Sequence, residues 1–547
     1  MKRFIENYRG RTFDVIVIGG GITGAAVAYD AASRGLSVAL VEKQDFGGAT
    51  SAATSKLIHG GFRYLANLEF GIVRESLRER RTLENIAPNL VYPIPVLIPC
   101  YNSGITRNKY VLRCGMVLYD LLSYDKSRTW DKSKNIGLHQ TIARPKALEL
   151  EPVIPEPGLT EVFLYHDCAS LFPERLTLAF IKSAVKYGAC VSNYCKVEGF
   201  IFSGMNKKEI AGVKVKDLAR NREVELKGKL TVNCGGPWAD LILGLAKGDT
   251  SARRIRRSEG IHVITRKLVS HNMVVMITPS GKGFFLIPWR GHTLIGTTDK
   301  EYVGNPDEFR VTKAAILELL ETVNGTLGDN ARVEYGDVLR AYGGLRPLVE
   351  DQTKEVYESS RKYEIYDHAR DGFPGLITVE GGKYTTSRGL AQNVMKTVAK
   401  KLNQDLGQCL TAKQHLAGCE IQDIGQFINE LKTENEDFDE KTVECLARFY
   451  GRECRGVIEL ARQDRALSES LNDDGEIPAQ AVYAIRNEMA LTLKDILFRR
   501  TGIGALGYPG DDKIARIADL AANELDWDDE RKDREISDAK ELFKLPD

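Results

Sequence analysis

No stretch of this chain approaches the run of about 18 apolar residues that marks a membrane-spanning helix, and its ten cysteines contain no C-x-x-C pair. The first absence argues against a helical span. The second argues against a disulfide scaffold or a close-set metal knuckle, and points to reduced thiols in a cytosol-like compartment. There is also almost no net charge: 76 basic and 75 acidic side chains leave +1. Such a balance supplies no global field for nucleic acid or an anionic surface, so any basic site must be local. The N-terminal MKRFIENYRGRTF is basic but lacks the apolar core and cleavage site of a secretory signal. The eight histidines form neither H-E-x-x-H nor H-x-H, so no metal site is expected. What remains is a 547-residue chain, 43% hydrophobic and 28% charged, the composition of a multidomain globular protein.

The first forty residues carry the clearest local signal. Asp14-Val-Ile-Val-Ile18 is a β-branched run suited to a buried parallel strand. Gly19, Gly21 and Gly24 follow as G-x-G-x-x-G and open an alanine-rich helix ending near Gly35. A second strand, Ser37 to Val41, ends in Glu42, 23 residues after the first glycine. In this arrangement Gly19 makes the tight turn, Gly21 lets a pyrophosphate approach the backbone, and Gly24 lets helix and strand pack closely. The helix N-terminus favours the phosphates, and Glu42 suits a ribose diol. The expectation is an ADP-containing dinucleotide.

FAD is favoured over NAD by what comes next. No second βαβ unit follows Glu42. Instead Gly47 to Lys56 is rich in small residues and hydroxyls, and Leu57-Ile-His-Gly-Gly-Phe-Arg-Tyr-Leu65 follows directly. The groups of Thr50, Ser51, Ser55, Lys56 and Leu57 suit the pyrophosphate and isoalloxazine side of an extended FAD.

The segment ATSAATSKLIHGGFRYL at 49–65 closely resembles the FAD-dependent, quinone-linked glycerol-3-phosphate dehydrogenases of the aerobic type. The resemblance continues through Gly283 to Asp299, Gly343-Gly-Leu-Arg-Pro347, Gly381-Gly-Lys-Tyr-Thr-Thr386 and Ala490 to Thr501. It departs from the family pattern at Asp167 to Arg175, where only Arg175 and Leu176 agree clearly, and at Cys234 and Gly235. The resemblance implies an α/β FAD-binding Rossmann-like domain of the glutathione-reductase/D-amino-acid-oxidase type, an antiparallel-sheet substrate domain and a C-terminal all-α domain. On this reading 12–90, 160–240 and 340–402 form a discontinuous FAD-binding domain, and 91–159 with 241–339 form the substrate-binding cap. A linker at 403–418 leads to a helical domain at 419–547, with helices at Val443–Tyr450, Gly456–Arg462 and Ala479–Phe498. Val197, Gly382 and Thr385 join the cofactor-binding residues.

Oxidising a secondary alcohol needs a hydride acceptor, a base and a means of alignment. A phosphate ester adds about two negative charges, which call for fixed cations. By resemblance, Arg63, Tyr64, Arg361 and Lys383 surround the substrate phosphate, and Arg346 lies near the reacting carbon and oxygen. His262 and His59 compete as the base; His262 is preferred, with His59 positioning the substrate. The implied reaction takes sn-glycerol 3-phosphate to dihydroxyacetone phosphate. Quinone is the expected acceptor, because the cysteines lack cluster spacing and no long oxidase-type insertion is present. Arg107 to Leu122 mixes cations with apolar residues and reads equally as an interfacial helix or as a buried helix of the substrate-side domain; on the first reading the expected location is peripheral, at the cytoplasmic face of the inner membrane. A homodimer is the candidate assembly, and no nucleic-acid partner is expected. Two alternatives stay open: an amino- or hydroxy-acid oxidase of the same fold, and a non-catalytic FAD-binding regulatory protein.

Overall fold

The computed structural model describes the chain except for residues 103, 105–106, 205–207, 249–254, 279–280, 329–330 and 350–361. Its first sheet is built around Thr12–Ile18, flanked in parallel by Val38–Val41 and Arg222–Asn233. The order runs Tyr363–Asp367, Leu376–Gly381, Arg222–Asn233, Thr12–Ile18, Val38–Val41, Cys190–Ser192. Strands covered on both faces need continuous apolar runs, and Val15, Ile16 and Val17 are all fully buried. The helix Ile22–Ser33 lies on this sheet between Pro173–Lys186 and Ser387–Leu402. Its buried Ala25, Ala28, Ala31 and Ala32 are small enough for both neighbours to come close.

The second sheet has ten strands. Its pairings are antiparallel except between Met273–Ile277 and Tyr92–Tyr101, which run parallel. Arg256–Thr265 holds Val338–Leu348 on one side through ten residue pairs, from Arg256 opposite Leu348 to Thr265 opposite Val338. The boundaries read from sequence divide the chain differently from this sheet. Those boundaries assign nearly all of Leu159–Ala169 and Val338–Leu348 to the FAD-binding domain, yet both strands pair in the second sheet. Their partners are distant in sequence, and hydrophobic pattern alone does not choose between two sheets.

The C-terminal region is helical, from Ile424–Glu434 to Asp529–Glu541. The single helix expected at Ala479–Phe498 is broken. It stops at Glu488, where Met489 takes a left-handed conformation with φ 57°, and a new turn starts at Thr492, whose side chain and that of Asp495 cap each other's backbone. The break places Glu488, Arg499 and Arg500 against the first layer. The buried Asp45 receives Arg499 Nε at 2.6 Å and Arg500 Nη1 and Nη2 at 2.7 Å each. Arg175 donates to both oxygens of Glu488, at 2.6 and 2.9 Å. Unpaired charges at such depth would be costly, so these pairs fix how the helical region seats. Arginine beside the Asp45 carboxyl holds it well below the usual carboxylate range, against the opposing effect of burial.

Candidate active site

A cavity of about 1870 Å³ lies between the two sheets. At one end is the glycine turn. Gly19 has φ 104°, and a Cβ there would meet Cys234 O at 2.6 Å. A Cβ on Gly24 would sit 1.9 Å from Gly19 O, so only glycine lets the helix start against the turn. Gly20 N donates to Glu42 Oε2 at 2.7 Å and Gln44 N to Oε1 at 2.8 Å. The Glu42 carboxylate is thereby fixed at the end of its strand, with its pKa raised by burial. Ser51 Oγ accepts from Ile22 N, the first residue of the helix, at 2.9 Å.

The segment Thr50–Ser55 leads from this turn to the second sheet. Thr50 Oγ1 donates to Leu345 O at 2.7 Å, Tyr342 Oη donates to Thr54 O at 2.8 Å, and Ser55 Oγ lies 2.8 Å from His262 Nε2. The register explains the close fit. His262 stands opposite Tyr342, Gly260 opposite Gly344, and Ser258 opposite Arg346, so all six occupy one face of the sheet. The two facing glycines leave a bare strip. A Cβ on Gly344 would lie 2.7 Å from Ala53 Cβ, and one on Gly260 would lie 1.9 Å from Arg346 Nη2. The loop and the guanidinium therefore fill the space that side chains would otherwise take.

Arg346 is anchored on several sides. Nη2 donates to Thr297 Oγ1 at 2.6 Å, Nη1 to Thr298 O at 3.1 Å, and Asp299 Oδ1 is 3.4 Å away. The His262 ring stacks on Tyr342 at 5.1 Å between centroids. Burial, with the Arg346 and Lys56 cations, pushes the pKa of His262 well below the usual histidine value. Its Nδ1 is buried without a hydrogen-bond partner among the described residues.

A second group gathers His59, Arg63, Tyr64 and Lys383. Arg63 and Lys383 lie over the Tyr64 ring at 5.0 and 4.6 Å, and Lys383 Nζ donates to Ser76 Oγ. Burial lowers His59 to about 4; Lys383 and Arg63 add to this, while Asp167 opposes it. Asp167 also accepts from Gly60 N at 3.0 Å and from Arg80 at 2.6 Å, so it fixes the loop beside His59.

The cavity wall brings together Gly19, Gly21, Glu42, Thr50, Ser51, Ser55 and Leu57 with His59, Arg63 and Tyr64. Val197, His262, Arg346, Gly382, Lys383 and Thr385 complete the expected set found there. Gly24 acts from behind the turn. Lys56 turns away from the wall: its Nζ reaches Glu174 at 3.3 Å, over the Trp289 ring. Arg361 lies outside the described residues. Sequence reasoning did not single out Thr297, Asp299, Tyr342 or Asp167. The first two lie inside the quoted 283–299 motif, and Tyr342 directly precedes Gly343-Gly-Leu-Arg-Pro347. Nothing local distinguishes Asp167.

Residues 14–392 match the model of the FAD dependent oxidoreductase family, and 409–532 match the C-terminal domain of alpha-glycerophosphate oxidase. A glycerol-3-phosphate dehydrogenase of Synechocystis is 32% identical, over 100% of this chain and 99% of that protein. The chain belongs to the FAD-dependent glycerol-3-phosphate dehydrogenase family. The mitochondrial member from Bos taurus is 30% identical over 97% of this chain and 73% of its own length. The crystal structure of the Bacillus halodurans family member, complexed with FAD, superposes with a TM-score of 0.78 at 27% identity, covering 98% of this chain and 96% of that one.

FAD is the cofactor, and the residues present fit it. The Cβ-free turn at Gly19, Gly21 and Gly24 admits a pyrophosphate at the helix start, Glu42 is poised for the ribose, and the hydroxyl loop continues towards His262 and Arg346. Replacing Gly24 by Ala should push the helix from the turn and weaken FAD binding by roughly tenfold or more, about 1.4 kcal/mol. Gly71→Ala, where a Cβ would meet nothing within 4 Å, should leave FAD binding unchanged. Flavin released on ultrafiltration measures both, and equal retention in the two variants would contradict the packing role of Gly24.

Proposed function

We propose that the chain oxidises sn-glycerol 3-phosphate to dihydroxyacetone phosphate and delivers the electrons to a membrane quinone. Bound FAD supplies the two-electron acceptor. The observation that carries the reading is the presence of two histidines in one cavity, each beside its own cations: His59 with Arg63 and Lys383, and His262 with Arg346. A small substrate with a doubly charged phosphate and a secondary hydroxyl meets both sets. Its phosphate takes Arg63, Tyr64 and Lys383, with Arg361 by resemblance. Multiple cations match a dianion better than the single pair needed for a carboxylate.

The hydroxyl then faces His262 and Arg346. Neutral imidazole is the form that accepts a proton, and burial beside cations keeps His262 in it. The hydroxyl proton passes to Nε2, directly or through Ser55 Oγ at 2.8 Å. As the proton leaves, charge grows on the substrate oxygen, and the fixed guanidinium of Arg346 stabilises it without reorganising. His59, also held neutral, offers hydrogen bonds near the phosphate without adding a charge. Burial of both rings strengthens each electrostatic contact they make.

The quinone assignment is supported by the surface near the cavity mouth. Leu68, Phe70, Val111 and Leu118 line the cavity. On the helix Lys109–Leu122, Leu112, Met116 and Tyr119 are buried, while Tyr110, Val117 and Leu121 face outward. Leu68 is 72% and Leu121 66% exposed. An exposed apolar patch of this kind, flanked by Lys109 and Arg113, suits a bilayer surface. Among the described residues no helix is long and apolar enough to cross a membrane, so the proposed attachment is peripheral, at the cytoplasmic face.

His262→Asn should lower kcat with a soluble dye acceptor by about 10²- to 10⁴-fold, the usual worth of a general base, with FAD retained. In the unsubstituted protein the base is lost only as pH falls through its depressed pKa, so kcat should stay level from pH 8 down past about 6.5. A kcat within tenfold of the original, or an acid limb centred above 6.5, would remove His262 from this role. Leu121→Asp combined with Val117→Asp should reduce co-flotation with anionic vesicles and turnover of a long-chain quinone, while dye turnover stays unchanged. Undiminished flotation and quinone turnover would contradict the docking surface.

A further inference from the structure

Outside the active-site cavity there is a second cleft, of about 730 Å³, between the helices Phe70–Ile86 and Ser387–Leu402 and the segments around 128–130 and 412–413. The first helix contributes Arg78, Arg81, Thr82 and Asn85, and the second Arg388, Gln392, Asn393 and Lys396. Spacings of three and four residues put each set on one helix face. The floor is an ion pair: Arg388 Nε and Nη2 donate to the two oxygens of Glu79, at 2.7 Å each. Gly389 allows this contact, since a Cβ there would lie 2.9 Å from Glu79 Oε1.

Charge in the cleft is one-sided. Six cations line it, Arg78, Arg81, Arg128, Arg388, Lys396 and Lys413, against one acid, Glu79, which Arg388 already occupies. Arg81 is held by Asp125 at 2.6 Å. Arg128, Lys396 and Lys413 are exposed at the rim, and no carboxylate among the described residues pairs with them. In a chain of net charge +1 this is a local concentration of positive field, of the kind that draws an anion into a concave site. The rim cations come from three separate segments, so a single phosphate would leave some of them unused. A chain of linked phosphates carries a charge for each of the three. Trp130 adds an aromatic surface at the same rim. It is 36% exposed, its backbone N–H is fixed by Asn85 Oδ1 at 2.9 Å, and the His415 ring packs at 4.8 Å with the planes at 76°.

We propose that this cleft binds a polyphosphate-bearing small molecule, with the phosphate chain on Arg128, Lys396 and Lys413 and Trp130 available to a nucleobase where one is attached. The volume suits such a ligand, and charge-assisted contacts from arginine and lysine supply the affinity. The site lies close to machinery used in the cavity: Ser76, one turn before Glu79, bonds Lys383, and the second helix starts four residues after Lys383.

The test titrates FAD-saturated protein, whose dinucleotide site is filled, with ATP and with inorganic tripolyphosphate, following heat by calorimetry and the flavin spectrum by absorbance. Both ligands should bind with the flavin band unmoved. Lys396→Glu with Lys413→Glu, both on exposed side chains, should weaken both ligands about tenfold or more, a loss of about 1.4 kcal/mol. Trp130→Ala separates the two sources: loss of ATP affinity alone identifies a nucleoside polyphosphate, and no change identifies the bare phosphate chain. No heat from either ligand, binding that survives the double charge reversal, or binding that shifts the flavin band would overturn the proposal.

Discussion

The short segment Thr50–Ser55 couples the two halves of the site, and the rest of the arrangement depends on it. On one side Ser51 accepts from Ile22 N at the start of the dinucleotide helix; on the other, Thr50, Thr54 and Ser55 bond Leu345, Tyr342 and His262. Six residues thus tie a mixed sheet, whose central strands run parallel and carry the cofactor turn, to a largely antiparallel sheet that positions an imidazole and a guanidinium. The tie is possible because Gly260 and Gly344 face one another across two strands. Side chains at those positions would hold the loop and Arg346 away from the sheet, and the reacting groups would lose their alignment with the cofactor end. Misplacement of about 1 Å at such a site is costly in rate.

Electrostatics follow from the same geometry. The chain is nearly neutral, yet Arg63, Arg346 and Lys383 converge on one cavity. Each is restrained by named partners: Arg346 by Thr297, Thr298 and Asp299, Lys383 by Ser76 and the Tyr64 ring, and Arg63 by that same ring. Burial, reinforced by cations fixed in this way, depresses both histidines and favours their neutral form near physiological pH. Asp45, with Arg499 and Arg500, performs a related task at the outer face of the cofactor layer. There a buried carboxylate is stabilised by two arginines from a motif more than 450 residues later.

Much of this was legible in the sequence where the signal is local. Gly19, Gly21, Gly24 and Glu42 form a contiguous pattern whose physical reasons reappear as positive φ, Cβ exclusion and a fixed carboxylate. Long-range pairings were not legible. Nothing near Asp45 announces Arg499, nothing near Arg346 selects Asp299 as its anchor, and Lys56 carries a cofactor-like context while its charge belongs to Glu174. Val338–Leu348 reads as a strand in either sheet; only the opposing sequence of Arg256–Thr265 decides. The helix expected through Met489 shows the same limit. Residues 479–498 are good helix formers, and the left-handed break arises where the Thr492 cap and the buried Arg175–Glu488 pair take precedence over propensity.

The most direct measurement is the anaerobic visible spectrum of the FAD-loaded protein during titration with sn-glycerol 3-phosphate and, separately, with glycerol. Recognition through the phosphate requires that the phosphate ester bleach the flavin band while glycerol at the same concentration leaves it intact, because the His59, Arg63 and Lys383 group has nothing to hold in the unphosphorylated alcohol. A flavin band that neither compound bleaches, or that both bleach equally, would contradict it.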